Sequence, residues 1–156
     1  MTGLPRKWRA AVDKALNYIA LGRKAGRVEL GEEPVGAAAR AQHARLVVVA
    51  SDASDHTWRR AKSFVAGTGQ QCIRVSYTKD ELGFVIGRSE LAIMAFTDPA
   101  MALAFVEALG QPEKHREVLE DLQTRTQRVR RHQMEEKAHQ RNVRTGRVRR
   151  NPGKKN

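Results

Sequence analysis

The chain has 156 residues, enough for one domain with its own hydrophobic core and an extension. Its net charge of +12, from 29 Lys and Arg against 17 Asp and Glu, points to a polyanionic partner, because each phosphate that a cation neutralises releases condensed counterions. The single cysteine, Cys72, excludes an intrachain disulfide, no group of Cys and His has zinc spacing, and no apolar stretch approaches membrane-spanning length.

Lys and Arg open the sequence, but no apolar run follows them, so a cytoplasmic protein without a signal peptide is expected. Trp8, Ala11, Val12, Ala15, Leu16 and Ile19 recur at helical spacing, which predicts an amphipathic helix over 7–25 stopped by Gly26. A short extended piece, Arg27-Val28-Glu29-Leu30, comes next. Gly31-Glu32-Glu33-Pro34 reads as a helix start, with Pro in the first turn and carboxylates at the positive end of the dipole, and that helix runs to about Gln42. Leu46-Val47-Val48-Val49-Ala50 has the length and β-branched composition of a strand buried on both faces. The cap formers Ser51 to Asp55 lead into a helix to about Ala66. Cys72 to Ser76 is the next strand, where Cys72 reads as a small core residue. Thr78-Lys79-Asp80-Glu81 is a capping box that opens a short helix ending near Gly87. Leu91 to Phe96 is another strand, and Asp98-Pro99 starts a helix that Gly110 stops. Alternating strands and helices predict a three-layer α/β/α sandwich around a mixed sheet of about four strands over residues 1–110.

The character changes after Gly110. Val118, Leu119 and Leu122 offer one weak apolar stripe, and no aromatic residue follows Phe105. Residues 111–141 read as a basic helical extension and 142–156 as a disordered basic tail. Charge concentrates here: residues from Leu122 onward hold 12 basic and 2 acidic side chains. Arg125, Arg128, Arg130 and Arg131 would line part of a helix, with Arg141, Arg144, Arg147, Arg149 and Arg150 beyond it, as in arginine-rich segments that wrap on RNA.

Three stretches carry a family likeness: Leu21 through Glu33, Leu46 through Ser54, and Glu81-Leu82-Gly83 through Ile86-Gly87, with Thr97-Asp98-Pro99 after them. Over residues 14–109 the chain resembles the YlxQ-like branch of the kink-turn RNA-binding ribosomal-protein family, the type of the archaeal large-subunit protein. The resemblance implies the same sandwich, a bacterial protein linked to translation or transcription, and RNA binding at the start of the second helix and nearby loops. Kink-turn binders carry there Gly, a small residue, Asn, Glu, then Lys three positions on. Gly31 matches, whereas Glu33 replaces Asn, Pro34 replaces Glu and Ala37 replaces Lys. These departures weigh against kink-turn readout and leave RNA binding as such in place.

Two readings stand for Glu32 and Glu33: they accept hydrogen bonds from guanine donors, or they simply stabilise the helix start. Around them Arg23, Lys24, Arg27 and Arg40 are expected to meet phosphates along one rim, with Arg88 from the loop before the last strand. Ser51, Asp52 and Ser54 read as caps or ligands, Arg59, Arg60 and Lys62 as a basic stripe, and Trp58 as a half-buried or base-stacking ring. None of the five histidines has a nucleophile partner at recognisable spacing, and no phosphate-cradling glycine motif occurs, so neither an enzyme nor a cofactor is expected. A methyltransferase of related fold would need a cofactor domain for which the chain is too short. The leading expectation is a monomeric, non-catalytic binder of structured RNA. The alternatives are a ribosome-associated or ribosomal assembly protein, and a protein-interaction module with a solubilising tail.

Overall fold

A computed structural model describes residues 13–145, in which ten elements follow one another. They are α1 (Lys14–Lys24), β1 (Val28–Leu30), α2 (Glu32–Arg40), β2 (Leu46–Val49), α3 (Asp55–Val65), β3 (Gln71–Arg74), α4 (Lys79–Phe84), β4 (Ile93–Phe96), α5 (Pro99–Ala108) and α6 (Arg116–Thr145). The stretch 7–12 of the first expected helix, and Arg147, Arg149 and Arg150 of the tail, lie outside the described residues.

The strands form one mixed sheet in the order β1-β4-β2-β3. β4 runs antiparallel to both β1 and β2, and β2 runs parallel to β3. Alternation along β2 and β4 builds the two faces. Leu46, Val48, Met94 and Phe96 point into the larger core with Leu16, Ile19 and Phe105, whereas Val47, Val49, Ile93 and Ala95 meet Val35, Ala39 and Ala61 of α2 and α3. All four residues of each central strand are buried, as the unbroken apolar run of β2 predicts.

The helix starts follow their caps. Asp13 accepts from the Ala15 amide, Ser54 from Thr57, and Asp98 from Met101. The Thr78–Glu81 capping box is complete, with the Glu81 amide donating to Thr78 Oγ1 and the Thr78 amide to Glu81 Oε1. β4 starts at Ile93 rather than Leu91, because the Leu91 amide is drawn to the Lys79 carbonyl and cannot join the ladder.

The described residues fall into two compact units, one ending at Gln123 and one starting at Thr124. The first therefore runs past Gly110. Val118 and Leu122, on the opening turns of α6, are buried in its larger core. The helix itself continues to Thr145, beyond the boundary read at 141, because nothing between Arg116 and Thr145 breaks a helix and Gly146 is the first residue that would.

His115, in the turn before α6, is buried, and its imidazole pKa is lowered by desolvation first and by the charge of Lys114 second. The unfolded chain takes up this proton near about pH 6.5, which the fold resists. Stability is thus complete above that pH and declines as pH falls from about 6.5 toward the lower folded value. Urea midpoints measured across this window are expected to fall for the native chain and to stay flatter for His115→Gln. Equal slopes would show that His115 protonates freely.

Candidate nucleic-acid interface

Strand directions divide the sheet into two ends. At the first, the Gly31 amide donates to the Ile93 carbonyl, which places the start of α2 beside the start of β4. The loop 86–90 and the ends of β2 and β3 belong to the same end. At the second, the Thr97 amide donates to the Arg27 carbonyl and the Arg45 amide to the Phe96 carbonyl. The nine residues of α2 cover about 13 Å from one end to the other.

This geometry corrects the single cationic rim expected from sequence. Arg88, Gly31, Glu32 and Glu33 lie at the first end, whereas Arg27 and Arg40 lie at the second. Spacing within α2 hid this, because its two ends serve opposite borders of the sheet. Two exposed arginines also make contacts within the protein. Arg23 donates from Nη1 to the Ile86 carbonyl at 2.6 Å and so clasps the loop that carries Arg88. Arg27 pairs with Asp98 at 3.0 Å. Lys24 is exposed in the last turn of α1, where a cation suits the helix dipole. Arg40 curls back, its Nη1 3.5 Å from where a Cβ on Gly36 would stand.

Glu32 forms an ion pair with Arg60 of α3, and Glu33 is exposed. The positions where the resembled family carries Glu and Lys, Pro34 and Ala37, line a 460 Å³ cleft together with Glu29, His43, Arg45 and Thr97. Asp52 accepts from the Lys79 amide and Ser54 caps α3, so these two serve the fold. Arg60 also stacks over Phe64 at 5.0 Å. Cys72 is a thiol kept protonated, its pKa pushed up to about 12 by burial against the opposing pull of Lys62 and Arg74.

The second unit is the more strongly cationic. Along α6, Arg130, Lys137, Arg141 and Arg144 recur at steps of seven, four and three, which puts them within an arc of about 60° on one side of the helix over about 21 Å. All four are exposed. Glu135 and Glu136 fall outside that arc. Lys137 was not among the expected tail contacts, although its spacing from Arg130 and Arg141 carries the signal. Arg128 and Arg131 occupy another side of the helix, with half-exposed Arg125.

The fold thus belongs to the α/β/α sandwich class, with a cationic helix following it. No protein-family model matches the sequence, and no curated protein matches it. Among solved structures, the chain is similar to a protein with unknown function from Bacillus halodurans C, at a TM-score of 0.58 and 23% identity, over 63% of this chain and 98% of that one. It is also similar to the Giardia lamblia 15.5kD RNA binding protein, at a TM-score of 0.52 and 17% identity, over 68% of this chain and 89% of that one. A structural neighbour of this chain is therefore an RNA-binding protein. No helix among the described residues is long and apolar enough to cross a membrane.

Proposed function

We propose that this protein is a non-catalytic, cytoplasmic RNA-binding protein that acts on structured RNA as a monomer, in the service of translation or transcription. The observation that carries the reading is the basic stripe of α6, attached to a sandwich whose fold an RNA-binding protein shares. Exposed arginines and lysines on one side of a helix suit phosphates, and counterion release drives such contacts without a sequence-specific readout. Kink-turn readout is not part of the proposal, since Glu32 is committed to Arg60 and Pro34 and Ala37 offer no polar side-chain group.

Crosslinking in cells followed by sequencing of the bound RNA tests the proposal. Enrichment at discrete structured RNAs is the expected result. Sites confined to ribosomal RNA would assign the protein to the ribosome or its assembly. A recovery of RNA no greater than from an uncrosslinked control would overturn the reading.

A further inference from the structure

β3 is the last strand of the sheet, and nothing pairs with its outer edge among the described residues. Val75 donates its amide to the Val49 carbonyl. Alternate residues of a strand turn their amide and carbonyl groups the same way, so those of Cys72, Arg74 and Ser76 face outward. Beside this edge lies a 400 Å³ cleft, within the range of about 300–1,000 Å³ that small-ligand sites occupy. Trp58, Cys72, Arg74, Ser76, Lys114 and His115 contribute to its walls, and among the described residues no carboxylate does. Glu113, the nearest acid in sequence, is turned to Arg116 at 3.1 Å.

Arg74 is the unusual member. Its guanidinium carbon sits 4.8 Å from the centre of the Trp58 ring, and Lys62 Nζ sits 5.4 Å from the same ring. Arg74 Nε and Nη2 are buried and have no hydrogen-bond partner among the described residues. A buried donor left unsatisfied is costly, and a guanidinium fork matches the oxygens of a phosphate. Stacking on Trp58 fixes the guanidinium in the wall of the cleft, where Lys114 adds a second charge to the lining. An added strand fits less well, because the edge is only four residues long and a charged side chain on an edge strand opposes strand addition.

We infer that the cleft between Trp58, Arg74 and Lys114 is an RNA contact site, which takes a nucleotide phosphate on Arg74 and Lys114 with the base against the Trp58–Arg74 stack. None of its lining residues belongs to the α2 start or to the loop 86–90. The inference rests on the RNA-binding reading and adds to it a place where single-stranded RNA is held.

The test follows Trp58 fluorescence in the full chain carrying Trp8→Phe, which leaves Trp58 as its one tryptophan. The probe is a hairpin RNA with a single-stranded extension, and its anisotropy is recorded in parallel. Saturable quenching at the concentrations that raise anisotropy is expected. Lys114→Gln and Arg74→Gln are each expected to weaken binding about five-fold and to lower the log–log salt slope by about 1. Lys114 is exposed, so its substitution reports on the site even if Arg74→Gln does not fold. Binding of the hairpin with unchanged Trp58 emission and unchanged slopes would overturn the inference and leave the RNA-binding reading intact. No anisotropy change at all would remove both. Equal quenching by a polyglutamate peptide would make the cleft a docking place for acidic protein segments, which also overturns it.

Discussion

Replacing Arg130, Lys137, Arg141 and Arg144 together by glutamine is expected to lower RNA affinity about a hundred-fold at physiological salt and to reduce the log–log salt slope by about 3. Each phosphate contact contributes roughly 0.7 to 0.9 to that slope, and four cations within one arc of α6 can follow one stretch of backbone together. Glutamine keeps the helix, since Arg, Lys and Gln have nearly equal helix propensity, so a loss of affinity reports on charge. Circular dichroism should show the same helix content in both proteins. The control is Arg128→Gln with Arg131→Gln on another side of the helix, where a slope change of at most about 2 is expected from two contacts. Filter binding or anisotropy over a salt series measures both. A slope unchanged in the four-fold variant would mean that the stripe touches no phosphate, and the proposal would lose the observation that carries it.

How far the sequence could be read depends on the range of the interaction that decides each feature. Local chemistry was legible: the Thr78–Glu81 capping box, the Asp98 cap before Pro99, and the buried run Leu46–Val49 all stand as their residues predict. The layered fold followed from the alternation of such elements. Features set by distant partners were not legible. Nothing near Arg23 announces that its guanidinium closes on Ile86, 63 residues away, and so clasps the loop 86–90. Likewise Glu32 meets Arg60, and Trp58 meets Arg74, only because the sheet order sets α3 beside α2 and over β3. The rim was misjudged for the same reason. Neighbours in sequence, Arg27 and Gly31, stand at opposite ends of β1, a strand of three residues. The end of α6 was read at 141 instead of Thr145 for a different reason. A helix with little apolar surface gives no periodic signal, and only the absence of breakers before Gly146 marks how far it runs.

Gly83→Ala is expected to destabilise the first unit by about 2–3 kcal/mol, the cost of overpacking a site that cannot yield. Gly83 is buried in α4, and a Cβ there would stand 2.6 Å from Glu90 Cα, 2.8 Å from Glu90 N and 2.9 Å from the Arg88 carbonyl oxygen. These are backbone atoms, so no side chain can rotate out of the way. The loop 86–90 lies on the helix at this point: the Arg88 amide donates to the Gly83 carbonyl at 2.9 Å, the Leu91 amide to the Lys79 carbonyl, and Arg23 clasps Ile86 from α1. A methyl group at 83 must push the loop outward against all three, moving Arg88 and the lead into β4. Gly87→Ala provides the contrast. Gly87 has φ +76°, yet nothing among the described residues lies within 4 Å of its Cβ position, so only backbone strain of about 1–2 kcal/mol is expected there. Thermal melts should place Gly83→Ala on the order of 10 °C below the native chain and clearly below Gly87→Ala. RNA affinity measured well under both midpoints then asks whether the loop contributes. A loss in Gly83→Ala without a matching loss in Gly87→Ala would place Arg88 and its loop among the RNA contacts. Equal melting points for the two variants would mean that the loop yields freely, and that Gly83 is not what seats it on α4.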